Sequence, residues 1–109
     1  MMVVKGFVAE GKDYLVLDGT KGFMPGPAAM RLLMDKQEGV GADKALVLAG
    51  NHEHAAVCAF LPDGTSAAPN AVDLQVLRGK VSYELRLTDS FVARMREADR
   101  SAECLMAAS

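Results

Sequence analysis

Val81, Tyr83, Leu85 and Leu87 alternate with Ser82, Glu84, Arg86 and Thr88. A period of two belongs to a strand with one wet face, and this is the clearest such signal in the chain. Just upstream, Val72, Leu74 and Val76 alternate with Asp73, Gln75 and Leu77, and Arg78-Gly79 can turn the chain between the two stretches. The pattern predicts an antiparallel hairpin over 72–88. A ribbon of that kind must bury its apolar face against other elements.

Those elements are legible along the chain. Val3, Val4, Phe7 and Val8 begin one extended apolar stretch, and Tyr14 to Asp18 forms a second. Gly11 lies between them, where a tight reversal has no steric cost, so a first hairpin is expected. Gly22 to Pro27 holds two glycines and two prolines and reads as loop. Pro27 suits a first helical position. Ala29, Leu32, Leu33 and Lys36 then share a helical face flanked by Met30 and Met34, and Gly39 is expected to end the helix in a left-handed conformation. Ala45–Ala49 and Ala55–Phe60 read as strands. Gly50-Asn51 reads as a turn, Pro62-Asp63-Gly64 as another, and residues 65–70 as loop. From Asp89 or Ser90 onward, Phe91, Val92, Met95, Ala98, Ala102, Leu105 and Met106 fall on one helical face. A helix is the preferred reading there, with a strand from Phe91 to Arg96 as the rival. Arg94, Arg96 and Arg100 stand among Glu97, Asp99 and Glu103, as on a solvated face with pairs such as Arg96–Asp99 and Glu97–Arg100. The expected fold is a single α+β domain over 1–109, a mainly antiparallel sheet wrapped on one or two helices.

Composition narrows the function. No apolar run is long enough to span a membrane as a helix. Residues 1–77 carry six basic and nine acidic residues, and residues 78–109 carry six and five, so neither part is a basic patch. With no Trp and few aromatics to stack on bases, a nucleic-acid partner is not expected. Met1 to Glu10 has one lysine and no apolar block of signal length, so the expected location is the cytoplasm. Cys58 and Cys104 are too far apart for a C-x-x-C pair and read as free thiols in apolar settings. His52 and His54, two apart, could share a metal with Cys58 if all three lay on one strand face. A polar turn is the simpler reading, and no metal or cofactor is expected.

Three segments carry a resemblance. Gly39-Val40-Gly41-Ala42-Asp43 resembles the G-I-G-A-D-G segment of the diaminopimelate epimerase family, which also follows a helix and precedes a strand. Gly11 to Asp18 (G-K-D-Y-L-V-L-D) resembles that family's opening G-N-D-F-V-V-x-D, and Phe60 to Thr65 (F-L-P-D-G-T) resembles its F-N-x-D-G-S. The resemblance implies one of two similar lobes, each a sheet wrapped on a central helix, with substrate bound between them. It also implies a pair of cysteines, one per lobe, that remove and replace the α-proton of an amino acid without a cofactor. Inversion needs a base on one face and an acid on the other, and a thiol of lowered pKa serves as either.

The chain departs from the family where that chemistry resides. It has the length of one lobe. Lys12 and Leu61 stand where the family has asparagines, and Asn70 falls where the nucleophilic cysteine belongs. The G-N-G that opens the family's substrate-binding helix is missing, and the strand-like alternation from Val72 makes that helix look deleted. The resemblance therefore implies a non-catalytic, self-associating domain that binds a small amino acid or carboxylate, or serves as a scaffold. Lys12, Asp63, Thr65 and Asn70 are the candidate ligand-binding residues. The alternatives are an amino-acid epimerase or racemase of the lysine-biosynthesis class, assembled from two copies with Cys58 or Cys104 as acid and base, and an inert piece of such an enzyme. A homodimer is the expected assembly, with the apolar side of the tail helix, Phe91, Met95, Leu105 and Met106, reaching the partner or filling the lobe's own core.

Overall fold

A computed structural model describes residues 2–19, 23–50 and 55–107, with side chains left aside at 50, 55 and 103–107. The element order is β1 (Met2–Ala9), β2 (Lys12–Asp18), α1 (Pro27–Met34), β3 (Lys44–Gly50), β4 (Ala55–Phe60), β5 (Ser66–Ala67), α2 (Ala71–Val76), β6 (Tyr83–Leu87) and α3 (Asp89–Ala107). The six strands form one sheet in the order β5-β4-β3-β2-β1-β6. It is an α+β domain, as expected, but its sheet is mixed. β2 and β3 run parallel because α1 carries the chain back between them, and the other pairs are antiparallel.

The first hairpin forms where expected. Glu10 and Gly11 both have positive φ, 51° and 75°, the twist that matches a two-residue reversal between right-twisted strands. Val4 then pairs with Leu17 and Phe7 with Tyr14. Alternation sends Val4, Leu15 and Leu17 to one face of the sheet, where they pack with Ala45, Val47, Phe60, Leu33, Met34 and Met95 beneath α1 and α3. Phe7, Tyr14, Val16, Leu46 and Ala59 go to the other face, which α2 covers through Val76.

α1 begins at Pro27 but ends at Met34, four residues before the expected end at Glu38. Asp35 turns extended (φ −66°, ψ 130°), and its carboxylate accepts the N–H groups of Gln37 and Glu38. A short acidic side chain that bonds its neighbours' backbone competes with helix continuation, which is what stops α1. The chain then folds back so that Val40 and Gly41 donate to Leu33 O and Ala42 to Met34 O, serving carbonyls the helix leaves open. Gly39 is not the left-handed residue. That conformation belongs to Gly41, with φ 84°. Gly39 is instead pressed against the carbonyl oxygens of Leu32 and Leu33, where a Cβ has no room. Asp43 ties the starts of two strands together: its carboxylate accepts Asp13 N–H and its own N–H donates to Asp13 O, both at 2.9 Å.

The expected hairpin over 72–88 does not exist. Residues 71–76 are helix, and β6 pairs antiparallel with β1, Val4 opposite Leu85 and Gly6 opposite Tyr83, the Tyr83 ring lying over Gly6. Val72 and Val76 are four apart and both turn to the sheet, while Leu74 is exposed. The alternation over 72–77 is therefore also compatible with one helical face, and the cap described below decides between the two. Within residues 65–70, expected as loop, Ser66 and Ala67 pair with β4.

The tail is helix, not strand. Phe91, Val92 and Met95 of α3 enter the same core as Leu33, so this part of the tail fills its own domain. The side chains of Leu105 and Met106 lie outside the described residues. Glu38 pairs with Arg94 at 2.9 Å, and Arg96 stacks over the Phe23 ring at 5.1 Å, so part of the face expected to be solvated fastens α3 to the turn after α1 and to the loop before it. Glu97–Arg100 forms at 3.4 Å as expected. Asp99 does not serve Arg96. Its carboxylate accepts backbone N–H groups at the start of α1.

Candidate functional site

Among the described residues the one buried charged side chain, Asp73, lies in α2. Asn70 opens that helix, its side-chain oxygen accepting Asp73 N–H at 2.9 Å while the Asp73 carboxylate accepts Asn70 N–H at 3.0 Å. This reciprocal pair satisfies two donors that a helix start otherwise leaves open. Asp73 is fully buried, and its Oδ2 also meets Lys44 Nζ at 2.7 Å. Lys44 opens β3 directly opposite Tyr14 of β2. Burial, followed by the nearby charge of Asp73, raises the pKa of the Tyr14 hydroxyl, which keeps its proton at neutral pH. Asp73 Oδ1 makes no hydrogen bond of ordinary geometry among the described residues. A carboxylate closed off from solvent cannot meet a substrate. The chemistry of this cluster is therefore attachment: one buried ion pair and one capping box pin a six-residue helix to the sheet.

Beside the cluster lies a cavity of about 470 Å³, floored by Val3, Lys5, Phe7 and Val16 and bounded by Leu48 and Leu77. Its size falls within the ordinary range for small-molecule sites, and Lys5 and Asp18 bring both signs of charge to an otherwise mostly apolar lining.

Of the candidate site residues, Lys12, Cys58, Asp63, Thr65 and Asn70 line neither this cavity nor the smaller one between α2 and the end of β1. Lys12 is exposed at the first position of β2. Asp63 and Thr65 form an exposed turn, in which Asp63 Oδ1 accepts the Thr65 hydroxyl at 2.6 Å and the Thr65 N–H at 2.9 Å. Those two bonds, the hydroxyl first, hold the Asp63 carboxyl below its usual pKa. Asn70 is committed to its cap. Cys58 is half-buried on β4, packed against the core under α1. Cys104 lies within α3 with its side chain outside the described residues, and His52 and His54 lie outside them altogether. Asp73 and Lys44 were not anticipated. The signal for Asp73 was the spacing Asn70-x-x-Asp73, an acceptor followed three residues later by an acid. The ion pair with Lys44 has no local signature. No known family profile matches this chain, and no curated protein does.

Proposed function

We propose that this chain is a non-catalytic, self-associating binding domain related to one lobe of diaminopimelate epimerase. The observation that carries the reading is the state of Asn70. Aligned on Asp63-Gly64, this residue takes the place of the family's nucleophilic thiol, and here it spends its side chain on capping α2. An amide has no acid–base role near neutral pH, so Asn70 cannot take over the work of a thiol. Cys58 is a poor replacement. It sits mid-strand, half-buried against a hydrophobic core, whereas thiols are typically activated at a helix start or beside a cation. The cavity over Lys5 and Val16 is the place the reading assigns to a small ligand with an apolar body and a charged end.

The test is exchange of the amino-acid α-proton, followed by NMR in D₂O with millimolar diaminopimelate, proline or glutamate. No exchange above the protein-free rate is expected. Exchange that disappears in Cys58→Ala or Cys104→Ala would overturn the reading and favour an isomerase assembled from two copies.

A further inference from the structure

β6 is the outermost strand of the sheet at the end away from β5. One side of its backbone pairs with β1, and no strand lies beside the other among the described residues. An edge of this kind accepts a strand from another chain unless proline, a bulge or a run of like charge blocks it. The five residues Tyr83–Leu87 contain no proline, and their two charges are opposite in sign. The edge is also apolar for an exposed strand: Tyr83 and Leu85 are 37% and 36% exposed, and Val81, two residues before the strand, is 40% exposed.

The order of these residues is self-complementary. A two-fold axis through Leu85 sets two β6 strands antiparallel, with Leu85 opposite its own copy, Tyr83 opposite Leu87, and Glu84 opposite Arg86 on both sides of the axis. Opposite charges meet on one face and apolar side chains on the other. Glu84 already faces Lys5 across the β1–β6 ladder, so the pairing sets it between two cations. Moving the axis to Glu84 would oppose two carboxylates, and moving it to Arg86 would oppose two guanidiniums. Like charges directly opposite are unfavourable, and an axis at Tyr83 or Leu87 leaves most of the strand unpaired, so charge and overlap together select the register centred on Leu85.

We infer that the β6 edge binds the same edge of a second copy, joining two six-stranded sheets into one continuous sheet. The inference deepens the self-association in the proposed function by naming its surface and register.

The test is sedimentation equilibrium of the full chain and three variants, each checked for folding by circular dichroism. Wild type is expected to dimerise. Arg86→Glu opposes carboxylates at both sites, and Glu84→Arg opposes cations, so each variant is expected to weaken the dimer about tenfold or more. Glu84→Arg combined with Arg86→Glu restores opposite charges across the axis and is expected to restore the dimer. Two single variants of opposite sign keep the test decisive if one of them folds poorly. A wild type that stays monomeric at high micromolar concentration overturns both this interface and the self-association it rests on. A dimer indifferent to both single variants overturns the β6 interface alone and leaves self-association standing through another face.

Discussion

Asp99 and Gly26 stand 73 positions apart in the chain, yet the Asp99 carboxylate accepts the Gly26 N–H at 2.7 Å. The other oxygen of the same carboxylate accepts the Ala29 N–H at 2.8 Å. Gly26 is the residue before α1 and has no side chain with which to cap it, so α3 supplies the cap from outside. The contact is close enough that a Cβ on Gly26 would sit about 3 Å from the carboxylate. A negative group at a helix start also opposes the positive end of the helix dipole.

Asp99→Ala is expected to destabilise the fold by about 1–2 kcal/mol, the usual cost of losing a helix cap. The loss should appear even though alanine is the better helix former within α3 itself. Asp99→Asn, which keeps an acceptor but loses the charge, should fall between the two, and Ser101→Ala, at an exposed position of α3, should change little. Urea unfolding followed by circular dichroism measures all three. An Asp99→Ala protein as stable as wild type would mean that α1 does not depend on α3 for its cap.

The pair Lys44–Asp73 sets a second expectation. Asp73→Leu strands a lysine whose side chain is only 14% exposed, and breaking such a pair from one side typically costs about 3–5 kcal/mol. Lys44→Met together with Asp73→Leu removes both charges and should recover part of that loss, although the capping bond to Asn70 stays broken. A double-mutant cycle in urea should give a coupling energy of about 1–3 kcal/mol. Strict additivity would show that the ion pair contributes nothing and that Asp73 acts through the cap alone.

Gly39 and Gly41 lie two residues apart and should respond differently. At Gly41 the backbone is left-handed, so Gly41→Val should cost about 1–2 kcal/mol and Gly41→Asn distinctly less, because asparagine tolerates that region. At Gly39 the obstacle is the backbone oxygens of Leu32 and Leu33, which any Cβ meets. Gly39→Asn should therefore be no milder than Gly39→Ala. Melting curves of the four variants separate the two causes, and a stable Gly39→Asn would return the helix stop to Gly39.

The parts of the fold readable in sequence were those specified by neighbours in the chain. Gly11 between two apolar runs gave the first hairpin, Pro27 the start of α1, and the apolar runs at 45–49 and 55–60 the central strands. The misreading at 72–77 came from residues spaced two apart, because Val72 and Val76 satisfy strand and helix periods alike. Asn70 and Asp73 held the deciding information in their capping spacing. The alternation over 81–88 did mark a strand, but pattern alone does not name a partner, and β6 chose β1 over the segment just before it. Of the candidate site, the Asp63–Thr65 turn is local and was legible. Asp73 with Lys44 and Asp99 with Gly26 are set by packing between distant segments, so no window of the sequence displays them.

That α1 receives its cap from residue 99 bears on how the protein is made. Synthesis proceeds from the N-terminus, and the β1–β2 hairpin can close as soon as it emerges. β1 gains its second neighbour only with residues 83–87, and α1 only with residue 99, long after its own residues have appeared. Until then the nascent chain holds Val4, Leu15 and Leu33 beneath an unfinished roof. A polypeptide interrupted between residues 88 and 99 would therefore present its main core to chaperones and proteases rather than a smaller working domain.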